Sequence, residues 1–250
     1  MTLFSDRVVL ITGAARNLGR DYASFFADDG ARVVIADIDE AGAIAASAEL
    51  VDAGRSAFGI GMDITDEASV ERAVRTITDE FGAIEILVNN AGLWGDLTLQ
   101  SALATEVEYW RKVIDVNLTG AFIVSRSVVP GMRERGWGRI VNISSQGAWK
   151  AGGAYSVSKL AMHSMSYGMA AELAPAGITV NCVAVGATFN AATQRHLSRE
   201  VFDRGLAANL IKREGTSADM YGAIRYLCSD DAAYVTAQVI SPNGGQVPQF

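Results

Sequence analysis

Residues Arg7–Gly19 read RVVLITGAARNLG. Arg7–Thr12 is, after its first residue, a continuous run of apolar and β-branched residues, the pattern of a strand buried on both faces of a parallel sheet. The run stops at Gly13, and from Asn17 onward the apolar residues recur with a helical period. A strand that turns through glycine into a helix makes an anion site. The first N–H groups of a helix have no internal partner, and the helix dipole adds positive potential there. Glycine lets a phosphate approach the backbone and lets the helix pack closely on the strand. A glycine pair by itself is a weak signal. Here it follows a strand and opens a helix, which is the context a phosphate-binding loop requires.

The same alternation continues along the chain. Asn17–Asp29 is predicted helical, Ala31–Asp37 a strand, Glu40–Ala53 a helix, Ala57–Met62 a weaker strand and Glu67–Phe81 a helix. Ile84–Asn89 is a strand, and a helix runs from about Val107 to Met132. Gly138–Ser144 is a strand, Gly153–Leu173 a helix and Ile178–Val185 a strand. Such an order predicts an α/β fold, a doubly wound parallel sheet with helices on both faces. No linker, repeat or low-complexity stretch interrupts it, so one domain over residues 1–250 is expected. Ala187–Glu214 breaks the rhythm. It is long and mixed in composition, and long connections in compact domains serve as lids or binding loops.

Half of the 250 residues are hydrophobic and a fifth are charged, which suits a large globular core. The net charge of −7 argues against nucleic acid or an anionic membrane surface as the main partner. The two cysteines, Cys182 and Cys228, sit in no metal-ligand spacing and form no disulfide framework, which points to a reducing compartment. The two histidines give no metal cluster. His163 lies in an apolar helical stretch and reads as a packed residue; His196 lies in a polar segment, facing a pocket or water. The N-terminal residues enter a strand pattern with no secretory signal, and no charge-free apolar run approaches membrane-spanning length. The cytoplasm is the expected location.

Two further features carry chemistry. Ala154–Ala161 reads AYSVSKLA, which places Tyr155 and Lys159 on the same side of a predicted helix. A free phenol, with a pKa near ~10, is a sluggish base at neutral pH, and a neighbouring ammonium favours its ionised form. Tuned in this way, a tyrosine takes a proton from an alcohol or returns one to a ketone. The plainer reading is a half-buried Tyr beside an exposed Lys. Asp37 ends the second predicted strand, eighteen residues after Gly19. A carboxylate there accepts from ribose hydroxyls and repels a 2′-phosphate, favouring NAD over NADP. The plainer reading has Asp37 capping the next helix. Arg16, inside the loop, is a candidate holder of a 2′-phosphate, which keeps NADP open.

TGAARNLG, then Asp63, Asn89-Asn90-Ala91-Gly92, Asn117, Ser144-Ser145 and Tyr155-Ser156-Val157-Ser158-Lys159 follow one another in an order and spacing that resemble the short-chain dehydrogenase/reductase family over essentially the whole chain. The resemblance implies a Rossmann fold of about seven strands, an NAD(P)-dependent oxidoreductase and a homo-oligomer, a tetramer, joined through the long helices before the fifth and sixth strands. It implies that Gly13, Arg16, Asn17, Leu18 and Gly19 form the cofactor loop. Asp37, Ile38, Asp63 and Ile64 would surround the adenosine, and Asn90, Ala91 and Gly92 would let the cofactor pass close to the backbone. Gly186 and Thr188 would meet the nicotinamide. Tyr155 would be the general acid/base. Lys159 would tune it and bind the nicotinamide ribose, Ser145 would hold the substrate oxygen, and Asn117 would hold a water linking Lys159 to solvent. Three positions depart from the family pattern. Asn17 stands where glycine is usual, Val185 replaces proline before Gly186, and Ser145 and Tyr155 are only ten residues apart, which leaves Ser144 as a rival for the serine role.

Loops at the carboxyl ends of the strands supply Leu93, Trp94, Gln146, Trp149, Phe189 and His196 as candidates to line a substrate pocket with Ser145 and Tyr155. Their aromatics favour a mostly apolar alcohol or ketone, cyclic or aromatic; ordinary core or oligomer packing is the alternative. A rival substrate is a carrier-protein-bound oxoacyl group, with Arg133, Arg135 and Arg139 as a docking patch for an acidic carrier. A rival of another class is a catalytically idle nucleotide-binding scaffold on the same fold.

Overall fold

The computed structural model describes residues 2–94, 102–150, 152–189, 191–194 and 198–247. In chain order the elements are β1 Val8–Thr12, α1 Asn17–Asp28, β2 Arg32–Asp37, α2 Glu40–Asp52, β3 Ala57–Gly61, α3 Glu67–Phe81 and β4 Ile86–Asn89. They continue as α4 Val107–Ile114, α5 Gly120–Arg135, β5 Gly138–Ser145, α6 Ala154–Leu173, β6 Ile178–Val185, the short α7 Ala191–Gln194, α8 Arg199–Leu206, α9 Ser217–Cys228 and β7 Val239–Ile240. All neighbouring strands are parallel, in the order β3-β2-β1-β4-β5-β6-β7.

The strands are apolar on both sides because both sides are covered. Val9 and Ile11 of β1 join Val33 and Ile35 of β2 in one core, under Tyr22 and Phe26 of α1 and Ile224 and Leu227 of α9. The alternate residues, Val8 and Leu10 with Val34 and Ala36, join the other core, under Val70 and Ile77 of α3 and Val124, Val128 and Met132 of α5. The period of two along each strand thus feeds two separate interiors.

The sequence signals missed the last third of the sheet's cover. α9 was not anticipated, although its start carries a reciprocal capping box between Thr216 and Asp219. β7 is two residues long, too short for a periodicity, and is fixed only by pairing Val239 with Cys182 and Ile240 with Val183. The helix expected from Val107 to Met132 is interrupted by a π turn at Asp115–Thr119 and ends three residues later, where Gly136 takes the left-handed conformation at φ 64°. Val107–Arg135 is long and apolar enough to cross a membrane by length and composition. In this fold α5 instead lays Val124, Val128 and Met132 against the sheet.

The strand order reverses between β1 and β4, where successive connections leave toward opposite faces. That reversal opens a crevice at the carboxyl ends of the strands, where ligands of such sheets bind.

Candidate active site

A cleft of about 1610 Å³ occupies that crevice, lined by the residues that follow β1, β2, β3, β4, β5 and β6. The volume exceeds that of a typical small-molecule pocket and suits an extended cofactor with a substrate.

One wall is the β1–α1 loop. Thr12 Oγ1 accepts the N–H groups of Asn90 at 3.1 Å and Ala91 at 3.0 Å. The Asn90 amide donates back to the carbonyls of Thr12 at 2.9 Å and Gly13 at 3.0 Å. These bonds clamp the loops after β1 and β4 together. Gly13 is required twice over. Its φ is 64°, and a Cβ would lie 2.7 Å from Ala91 Cα. Asn17 also has a positive φ, 53°, so the residue found in place of glycine is one that tolerates the left-handed region. Helices α2, α3, α8 and α9 are capped by the side chains of Asp39, Asp66, Ser198 and Thr216. α1 is not: Arg16 at its N-cap has no side-chain acceptor to offer, and its first turn has no carboxylate. Its orphan N–H groups and dipole are left for an anion in the cleft.

Asp37 closes the next side. It is 7 % exposed, and its carboxylate accepts Ala15 N at 3.0 Å and Asp39 N at 3.0 Å. It does not cap α2; Asp39 does. Ile38 beside it is exposed, and Arg16 is exposed at the cleft edge. Asp63 accepts from Thr65 N and Oγ1 in a local turn, and Ile64 is buried against Gly120. Both line the cleft.

The floor holds the candidate catalytic group. Lys159 lies one turn beyond Tyr155 on α6, with Nζ 6.0 Å from the phenol ring centre. Both are buried. Burial raises the Tyr155 phenol to about 12, and hydrogen bonding from the Ser145 and Trp94 side chains pulls it the other way without prevailing. Burial also draws the Lys159 ammonium down to about 8. In the protein alone burial dominates the phenol, and Lys159 Nζ donates to the Ile143 carbonyl at 2.8 Å. The plainer reading of an exposed lysine fails.

Ser145 and Ser144 diverge at the end of β5. Ser144 Oγ donates to the Lys159 carbonyl at 3.0 Å and lies 2.7 Å from His163 Nε2. A hydroxyl has one proton, so His163 is the donor in that pair and carries its proton on Nε2. Burial first, and Lys159 second, hold the His163 pKa below its usual value. Ser145 instead hydrogen-bonds Tyr155 and accepts Gly147 N at 3.0 Å. The short Ser145–Tyr155 spacing leaves that pair intact.

Asn117 sits in the π turn, fully buried. Its Oδ1 accepts Leu93 N at 2.6 Å, and its Nδ2 donates to Leu93 O and to Ser158 Oγ, both at 3.1 Å. The amide is engaged with protein at both ends rather than turned to the cleft. A Cβ on Gly92 would stand 3.2 Å from Asn117 Oδ1 and 3.4 Å from Lys159 Nζ, so glycine leaves that corner uncrowded.

Of the pocket candidates, Leu93, Trp94, Gln146, Gly186 and Thr188 line the cleft. Trp149 and Phe189 do not. Trp149 packs on His163 with ring centres 5.1 Å apart, and Phe189 packs on Phe202 at 4.9 Å. His196 lies outside the described residues. Phe202 of α8 and Lys150 line the cleft and were not anticipated, because only the folded loops bring them there. Gln246 ties this side together, donating to Gly205 O at 2.6 Å and accepting from Lys150 Nζ at 3.0 Å.

The arginines offered as a carrier-docking patch are elsewhere. Arg139 begins β5, at the end of the sheet opposite the cleft, and is 3 % exposed beneath the Trp137 ring. Arg133 pairs with Glu172 at 2.7 Å and Arg135 with Glu85 at 3.5 Å.

The model of the short chain dehydrogenase family matches residues 7–201. An uncharacterized oxidoreductase of Mycobacterium tuberculosis is 34 % identical over 245 residues, covering 98 % of this chain and 99 % of that protein. A 3-oxoacyl-acyl-carrier-protein reductase of Vibrio cholerae is 36 % identical over 242 residues, covering 96 % of each. Among solved structures, that of gox2181 superposes with a TM-score of 0.92 at 32 % identity, over 97 % of this chain and 96 % of that one.

Proposed function

The chain belongs to the short-chain dehydrogenase/reductase family of oxidoreductases acting on CH–OH and C=O groups, and on that premise we propose that it interconverts a mostly apolar secondary alcohol and its ketone with NAD. The observation that carries the reading is the group of Tyr155, Lys159 and Ser145, backed by the buried Asn117, in a cleft whose other wall includes an uncapped helix N-terminus. The nicotinamide cofactor supplies the hydride donor or acceptor when bound.

The protein's part is the proton. Tyr155 takes the alcohol proton in oxidation and returns it to the carbonyl oxygen in reduction. Ser145 donates to the same oxygen and steadies its developing charge. Lys159 supplies the cation that favours the phenolate, and its move away from the Ile143 carbonyl toward the nucleotide ribose would strengthen that effect. Asn117 fixes the Leu93 backbone that forms the adjoining wall. Gly13, Asn17 and the α1 N-terminus fit a pyrophosphate, and Asp37 fits an adenosine ribose with free hydroxyls. Phe202 of α8, with Thr188, would cover the substrate from the lid side of the cleft.

Tyr155→Phe removes only the hydroxyl. It should keep NAD binding and lose turnover on an alcohol and ketone panel by at least ~100-fold. Unchanged turnover would sink the assignment. An inert parent that still binds the dinucleotide would favour the scaffold reading. Likeness to a 3-oxoacyl-acyl-carrier-protein reductase keeps carrier-bound oxoacyl groups as the second reading. It ranks second because the three arginines face away from the cleft or are paired. Turnover on a carrier-bound oxoacyl thioester against simple apolar ketones decides between them.

A further inference from the structure

We infer that Gln146 selects substrates carrying a second oxygen, hydroxyl or carbonyl, beside the reacting one. The inference rests on the oxidoreductase reading above and narrows its substrate class.

Six buried side-chain polar atoms lack any hydrogen-bond partner among the described residues: those of Tyr22, Asn89, Arg139, Gln146, Thr179 and Asn209. Of these six residues, only Gln146 lines the cleft. It is 6 % exposed, and its buried carbonyl oxygen receives no donor. A carbonyl oxygen shut away from water with no donor is costly, and each such group in a native protein calls for a reason.

Its position supplies one. Gln146 directly follows Ser145 and opens the 3₁₀ turn Gln146–Trp149, which Ser145 Oγ anchors by accepting Gly147 N. Gln146 therefore lines the cleft one residue from the serine assigned to the reacting oxygen. The other polar side chains there already have partners: Ser145 with Gly147 and Tyr155, Lys159 with Ile143, Asn117 with Leu93. A half-turn about the last bond of the Gln146 side chain exchanges its oxygen and nitrogen. A substrate hydroxyl, which donates and accepts, meets it in either orientation; a carbonyl meets the nitrogen. A methylene in the same place leaves the amide unpaired and desolvated. A site built to bond a substrate hydroxyl rejects the analogue that lacks it far more strongly than an apolar pocket rejects an extra methylene.

The test compares matched pairs that differ only in the second oxygen, such as 1,2-cyclohexanediol and cyclohexanol, across cyclic and open-chain skeletons, with NAD and nicotinamide absorbance as the readout. The measured quantity is the ratio of kcat/KM within a pair, so a general loss of activity in a variant cancels. In the parent the ratio should favour the doubly oxygenated member by about 10-fold or more, the scale of one buried hydrogen bond. In Gln146→Met, of similar length and apolar, it should fall toward unity, and Gln146→Asn should fall between. A parent ratio near unity, or a Gln146→Met ratio equal to the parent's, overturns the inference and leaves the oxidoreductase reading standing. No turnover on any pair, with Tyr155→Phe indistinguishable from the parent, overturns that reading and the inference with it.

Discussion

At the scale of single residues, burial competes with charge. Lys159 is the clearest case. Its folded pKa, about 8, lies below the ordinary 10.5. Below pH 8 both folded and unfolded chains carry the ammonium, and the folded one bears the desolvation cost. That cost is relieved as pH rises from 8 to 10.5. Lys159→Met should therefore stabilise the cofactor-free protein at pH 7 by about 2 kcal/mol, the cost of burying the ammonium less one hydrogen bond to Ile143 O. The gain should fade through that window in denaturation measured against pH, while turnover collapses. A variant less stable than the parent at pH 7 would show that the hydrogen bond outweighs the charge. Asp37 does two jobs, since its carboxylate also holds Ala15 N and Asp39 N. Asp37→Ala should shift the kcat/KM ratio from NAD toward NADP and should also lower Tm, because two N–H groups lose their acceptor. A parent that already prefers NADP would mean Arg16 outweighs Asp37.

Elements place these residues, and their ends matter more than their middles. The phosphate loop works because α1 starts without a cap and because residues 13 and 17 take positive φ. Asn17→Gly should keep full stability, whereas Asn17→Ala should cost about 1 kcal/mol in denaturant unfolding, with weaker NAD binding, because a Cβ without a local polar partner is strained there. Equal stability of the two variants would show that the left-handed conformation carries no strain. The π turn places Asn117 where its amide reaches the Leu93 backbone, which a regular helix through the predicted span would not have suggested. Gly138–Ser145 ends with two serines whose side chains part, and only the pleat of β5 decides which one meets Tyr155.

For the whole molecule, the reversal of strand order gathers loops from six strands into one cleft. The faces of α5 and α6 leave Phe122, Leu160 and Tyr167 exposed, the last at 67 %. We propose that these helices join copies of the chain. Light scattering should give a mass near four times 26.5 kDa, and Leu160→Lys with Tyr167→Glu should lower it; a monomeric parent would refute this. Much of this was legible in the residues. Six strands, the main helices, the phosphate loop and the Tyr155–Lys159 pair could be read because each is set by local rules: a period of two or of 3.6, a glycine at a turn, one helical turn between partners. Tertiary structure alone decided the rest. It buried Lys159 and Asn117, turned Trp149 and Phe189 from the cleft, brought Phe202 and Lys150 to it, and left the Gln146 carbonyl oxygen without a donor among the described residues. Desolvation and contacts across distant loops depend on what packs against a side chain, and no local pattern in the chain encodes that.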